Sequence, residues 1–141
     1  MKTKPQQNYK AIILFILLLA FNNKGFSQES KENSNLKKWE DVEVKPEFPG
    51  GIEEFHKFVA YNFRTSETEP SGEIIGKFII ETDGSLSNIE IIKNEVGPIS
   101  GKELIHVLKL APNWTPGSNH AKPVRVLFSS LPITIKTPQK G

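Results

Sequence analysis

Residues 73–93 read EIIGKFIIETDGSLSNIEIIK, and this stretch decides the fold. Its opening residues are rich in Ile and Phe, the composition of a strand. Ile74, Phe78 and Ile80 fall on one face with Gly76, and Ile75 and Ile79 on the other. Asp83-Gly84 between two apolar runs signals a hairpin, because both residues tolerate positive φ. Residues 86–93 (LSNIEIIK) then form the return strand. Gly76 in mid-strand marks a bulge or a close backbone approach.

Upstream, Pro46-Glu47-Phe48-Pro49-Gly50-Gly51 is a stiff entry ending in flexible glycine. From Ile52 the period becomes helical: Ile52, Phe55, Phe58 or Val59, and Phe63 recur on one side, which predicts a helix over about residues 51–62. Downstream, Ser100 and Glu103 have capping-box spacing. Leu104, Ile105, Val107, Leu108 and Ala111 give the stripe of a helix lying on a sheet, stopped by Pro112. Trp114-Thr115-Pro116-Gly117 turns the chain. Residues 123–129 (PVRVLFS) read as a third strand, and 131–135 (LPITI) continue extended past a break at Ser129-Ser130. The order predicts an α+β fold: a short three-stranded antiparallel sheet with two helices packed on one face.

The ends are different in kind. Met1 to Lys10 is basic, Ala11 to Phe21 is an apolar run of 11, and Gly25-Phe26-Ser27 offers small residues before a cut at Gln28. That is the form of a secretory signal peptide over residues 1–27. A helix of that run rises about 16 Å, short of a bilayer core of roughly 30 Å. The alternative is an uncleaved anchor in the inner membrane, with the rest facing the periplasm. Residues 28–44 read as a polar tether, 45–136 as the domain and 137–141 as a polar tail.

The formal charge of +2 belongs to the leader. Lys2, Lys4, Lys10 and Lys24 precede residue 28 with no acid among them; without them 14 bases face 16 acids. Nothing here is a nucleic-acid footprint. With no cysteine, disulfides, thiolate metal sites and a cysteine nucleophile are excluded. His56, His106 and His120 have no ligand-like spacing, and no phosphate-binding glycine loop or nucleophile elbow occurs. The sequence therefore predicts no enzyme, no cofactor and no metal.

The third strand is short, apolar and last in order, which makes it a sheet edge. Arg125 is the only charge between Val124 and Ile135. Such an edge either accepts a partner strand or is covered by the N-terminal segment or a homodimer.

From Pro46 to Ile135 the chain resembles the C-terminal domain of TonB, the periplasmic energy transducer of Gram-negative bacteria, in its Bacteroidetes form. The likeness lies in the order and spacing of several pieces. These are Pro46-Glu47-Phe48-Pro49-Gly50-Gly51; Gly72-x-Ile74-x-Gly76-x-Phe78-x-Ile80-x-x-Asp83-Gly84-Ser85; Ile89-Glu90-Ile91-Ile92; a helix ending at Leu108; Trp114-Thr115-Pro116-Gly117; Lys122-Pro123-Val124-Arg125-Val126; and Leu131-Pro132-Ile133. The resemblance implies binding of a TonB-box segment of an outer-membrane transporter by strand addition. Val124, Arg125, Val126, Leu127, Phe128 and Ser129 are the implied pairing residues. Membrane contact is implied only through the leader, if uncleaved. The chain departs from a full transducer in three places. Ala11 to Phe21 is short and holds no polar residue. A tether of some 17 residues reaches about 60 Å, where the family has a long Pro-rich spacer. Asn62-Phe63-Arg64-Thr65 stands where the family often has Tyr-Pro after the first helix. The alternative reading is a periplasmic adaptor or sensor that self-associates, or binds another envelope protein, through the same edge.

Overall fold

The structure is a computed structural model, and it describes residues 35–137. The leader, residues 28–34 and residues 138–141 lie outside the described residues. In chain order the main elements are β1 (Leu36–Lys38), α1 (Ile52–Asn62), β2 (Gly72–Ile80), β3 (Leu86–Asn94), α2 (Pro98–Lys109), β4 (Ser118–Asn119), β5 (Lys122–Pro123) and β6 (Arg125–Ile135). A single 3-10 turn, Trp39–Asp41, follows β1.

The fold is α+β, but the expected three-stranded antiparallel sheet is corrected. The main sheet has four strands in the order β1-β6-β2-β3. It is mixed, because β1 runs parallel to β6 while β2 is antiparallel to both β3 and β6. Part of the expected tether is thus a strand. Three residues reading Leu-Lys-Lys have too little length or alternation to show a strand period; only the backbone pairing reveals it.

The central strand carries the core. Ile74, Phe78 and Ile80 are fully buried with Phe55, Val59, Leu104 and Leu108 of the helices. Burying each Phe or Leu stabilises the fold by about 1.5–3 kcal/mol before entropy is counted. Gly76 lets α2 approach: a Cβ there would sit 3.5 Å from Leu104 and 3.8 Å from Leu108. The register between β2 and β3 also slips at Ile75/Gly76, so bulge and close approach coincide.

The β2–β3 turn is one residue longer than expected. The Gly84 N–H donates to the Glu81 carbonyl at 2.9 Å, and the Glu81 N–H to the Ser85 carbonyl at 2.8 Å. Gly84 has φ +85, whereas Asp83 is not in the left-handed region. The loop is therefore a three-residue turn closed by a glycine bulge, not a two-residue turn. Asp83 instead accepts from the Ser85 N–H at 2.9 Å.

The capping box is also corrected. α2 starts earlier, with Pro98 in its first turn and Gly97 as N-cap, and Ser100 is buried inside it. Glu69, from the loop before β2, supplies the acceptor: its carboxylate takes the N–H of Ile99 at 2.7 Å and of Ser100 at 2.8 Å. Desolvation pushes the Glu69 carboxyl up, but the hydrogen bonds from Ser100 and Ile99 outweigh it and hold it below its ordinary value. A carboxylate at a helix N-terminus is also favoured by the dipole.

Several of the quoted sequence pieces meet at one place. The Trp114 N–H donates to the Gly84 carbonyl at 2.8 Å, and Glu47 and Thr115 exchange backbone bonds of 3.0 and 2.8 Å. Phe48 lies edge-on to Trp114 at 5.5 Å, and Trp114 to Phe55 at 4.9 Å. Gly117 sits where a Cβ would come within 2.8 Å of Val126 and 3.1 Å of Pro46. These motifs build the fold.

Candidate strand-pairing edge

β6 begins beside Lys122–Pro123 and β4, a small second sheet whose turn residues His120 and Ala121 both have positive φ. Of the six residues named from sequence, the strand holds Arg125 to Ser129. Val124 lies just outside it, buried against Val42 and Val126, with its N–H committed to the Gly117 carbonyl at 2.9 Å.

Alternation then sets the faces. Val126 and Phe128 point to the helices, opposite Ile80 and Phe78. Arg125 and Leu127 point to the other face. Phe128 stacks on Phe78 at 4.8 Å, with ring planes 7° apart, and meets Trp39 edge-on at 5.2 Å. Arg125 makes a two-pronged bond to Glu81, Nε to Oε2 at 2.7 Å and Nη2 to Oε1 at 2.9 Å. The Ser87 hydroxyl also donates to Glu81. The Arg125 guanidinium, more than any other neighbour, holds the Glu81 carboxyl below its ordinary value. Arg125 is an anchor for the sheet.

Ser129 is exposed. Between Phe78↔Phe128 and Gly76↔Leu131 the strand carries one extra residue, a bulge at Ser129-Ser130. The bulge keeps the core in phase, so Leu131 and Ile135 are buried as Val126 is.

The outer side of β6 is taken at its first three residues. Leu36, Lys37 and Lys38 stand opposite Arg125, Val126 and Leu127. At Trp39 the chain turns away, and among the described residues no strand pairs with the outer side of β6 from Phe128 to Ile135. A pocket of about 270 Å³ opens at this fork, lined by Trp39, Glu40, Ile52, Phe128, Ser129 and Ser130. Sequence reading missed Trp39, Glu40 and Ile52 here. Trp39, a large aromatic in a stretch read as polar tether, was the signal.

The other candidates do not converge. His56 and His106 are exposed on α1 and α2, and His120 is exposed in the β4–β5 turn. Among the described residues no group of His, Asp or Glu is placed to hold a metal. Among them, too, no helix is long and apolar enough to cross a membrane.

No protein-family model matches the chain, and no curated protein matches it. Among solved structures, the chain is similar to the solution structure of the Helicobacter pylori TonB C-terminal domain (residues 179–285). The two are 18% identical, with a TM-score of 0.44, over 64% of this chain and 88% of that one.

Proposed function

We propose that this protein is a periplasmic TonB C-terminal-like domain of the Bacteroidetes type. It binds a TonB-box segment of an outer-membrane transporter by strand addition along β6, with Arg125, Val126, Leu127, Phe128 and Ser129 as the pairing residues and Val124 buttressing them. The observation that supports this most is that the outer side of β6 already accepts a strand, β1, in a backbone ladder. Backbone pairing gives affinity, and a side-chain pocket beside it gives selectivity. The Trp39–Ile52–Phe128 pocket is placed for the second role. The sequence resemblance supports the choice of partner. In this reading the domain works by binding, without cofactor or catalysis, and is exported by its leader.

The test is a titration of the isotopically labelled protein with synthetic TonB-box peptides from the host's own outer-membrane transporters. Saturable amide shifts centred on Arg125 to Ser129 are expected. Ser129→Pro, which removes a donor at an exposed position, should weaken them. No shift at millimolar peptide overturns the reading. Concentration-dependent self-association perturbing the same residues would favour the adaptor alternative.

A further inference from the structure

β1 lies on three of the five residues, Arg125 to Leu127, that the incoming peptide is proposed to use. This inference rests on that reading and concerns its regulation. One side of a strand cannot pair with two partners at once. The free length beyond β1 does not substitute for it. After Phe128 it meets the Ser129-Ser130 bulge, which breaks the ladder, and continues into Pro132, which lacks a backbone donor. The regular part of the edge is the part β1 occupies.

β1 is built to leave. Its ladder is three residues long, Lys38 is exposed, and Leu36 and Lys37 are only half-buried. Its firm attachments all come after it. Val42 is buried with Val124 and Val126, Trp39 rests on Phe128, and the Lys45 ammonium donates to the carbonyls of Trp39 and Val42. Residues 36–38 can therefore swing out while the chain stays fixed from Trp39 onward. Local opening of so small a unit lies at the low end of the stability range.

We propose that β1 is a built-in competitor, a cis strand that holds the pairing edge closed until a partner strand displaces it. The partner then runs beside Arg125 to Leu127 and reaches the Trp39 pocket at its end.

Two variants of the full chain and one peptide-free measurement test this. Lys37→Pro/Lys38→Pro removes a β1 donor whichever of the two residues faces β6, and should tighten binding of the same synthetic TonB-box peptides about tenfold, the gain from freeing an edge open about one time in ten. The double variant Lys38→Cys/Leu127→Cys, in a chain with no other cysteine, pins β1 when oxidised. The oxidised form should bind peptide at least tenfold more weakly than its own reduced form. Equal binding by oxidised and reduced forms overturns the proposal. So does weaker binding by Lys37→Pro/Lys38→Pro with the fold intact by amide dispersion. Without peptide, the amides of the β1–β6 ladder in the natural chain should exchange at least a hundredfold faster than those of β2–β3. If they exchange only with global unfolding, β1 is a permanent strand and the proposal fails. Fast exchange with no peptide binding in any form supports a displaceable β1 and overturns only the transporter peptide as its partner.

Discussion

Gly84→Ala should be among the most damaging single changes in this protein. Two costs combine. A Cβ at φ +85 is disfavoured by about 1–2 kcal/mol if the backbone stays left-handed. The same Cβ would lie 1.8 Å from the Trp114 carbonyl oxygen and 2.9 Å from its carbonyl carbon. Ordinary contact begins near 3.4 Å, so turn and Trp114 segment must part by more than an ångström. That breaks the 2.8 Å bond from the Trp114 N–H to the Gly84 carbonyl. Gly84 and Trp114 are both buried, so the freed groups cost a further 1–3 kcal/mol or so. Together the loss is about 4 kcal/mol, a large share of the roughly 5–15 kcal/mol typical of a domain. Gly51→Ala is the control: φ is +91 there, but nothing lies within 4 Å of the added Cβ. It carries only the backbone cost, about 1–3 kcal/mol. Urea unfolding of both variants, with slopes compared to exclude a change in the unfolded state, measures the difference. If Gly84→Ala costs no more than Gly51→Ala, the packing of the turn on Trp114 does not hold the fold together as described.

Other outcomes follow from particular contacts. Phe128→Ala should cost about 3–5 kcal/mol in urea unfolding, because it empties the stack on Phe78 and the edge contact with Trp39. Glu69 and Glu81 both have folded-state values below their ordinary 4.5. Their stabilisation is therefore complete above that pH and is lost as pH falls through and below it. The melting temperature should drop over this acid range, with a shallower drop in Glu81→Gln. Ala121→Gly should raise stability by about 0.5–1 kcal/mol in the same unfolding assay, since Ala121 holds φ +60 at no benefit to its side chain. Lys93, pushed up to about 12 by Glu73 and then Glu95, is solvent-exposed. Lys93→Met should leave the melting temperature at neutral pH nearly unchanged, because such surface pairs are screened.

What could be read from sequence was what repeats locally. The β2–β3 hairpin joins two Ile-rich runs across Asp83-Gly84, and α2 carries an apolar stripe, so both stand in the structure close to their expected limits. What could not be read was long-range. The cap of α2 comes from Glu69, some 30 residues before the helix amides it accepts, and no spacing rule links them. Ser100 and Glu103 had the right spacing but the wrong place: Ser100 is buried, and Glu103 instead accepts the Arg64 N–H at 3.3 Å. At the candidate site, Arg125 to Ser129 do share one strand edge, because a single apolar strand was recognisable by itself. Its cis partner was not, since three residues paired through their backbones leave no side-chain pattern.

The opposite margin of the sheet bears on how this protein can multiply. β3 loses register with β2 in two places, once at Ile92 and once near Asn88, whose φ is +46. Kinked twice and carrying Glu90 and Lys93, it offers no straight row of donors and acceptors. Among the described residues, with β1 displaced, β6 is then the margin left for strand exchange. Two copies that traded strands along β6 would use up both receptive edges in a closed pair. A third copy would find nothing to add to, so strand exchange along β6 closes on itself instead of growing into fibres.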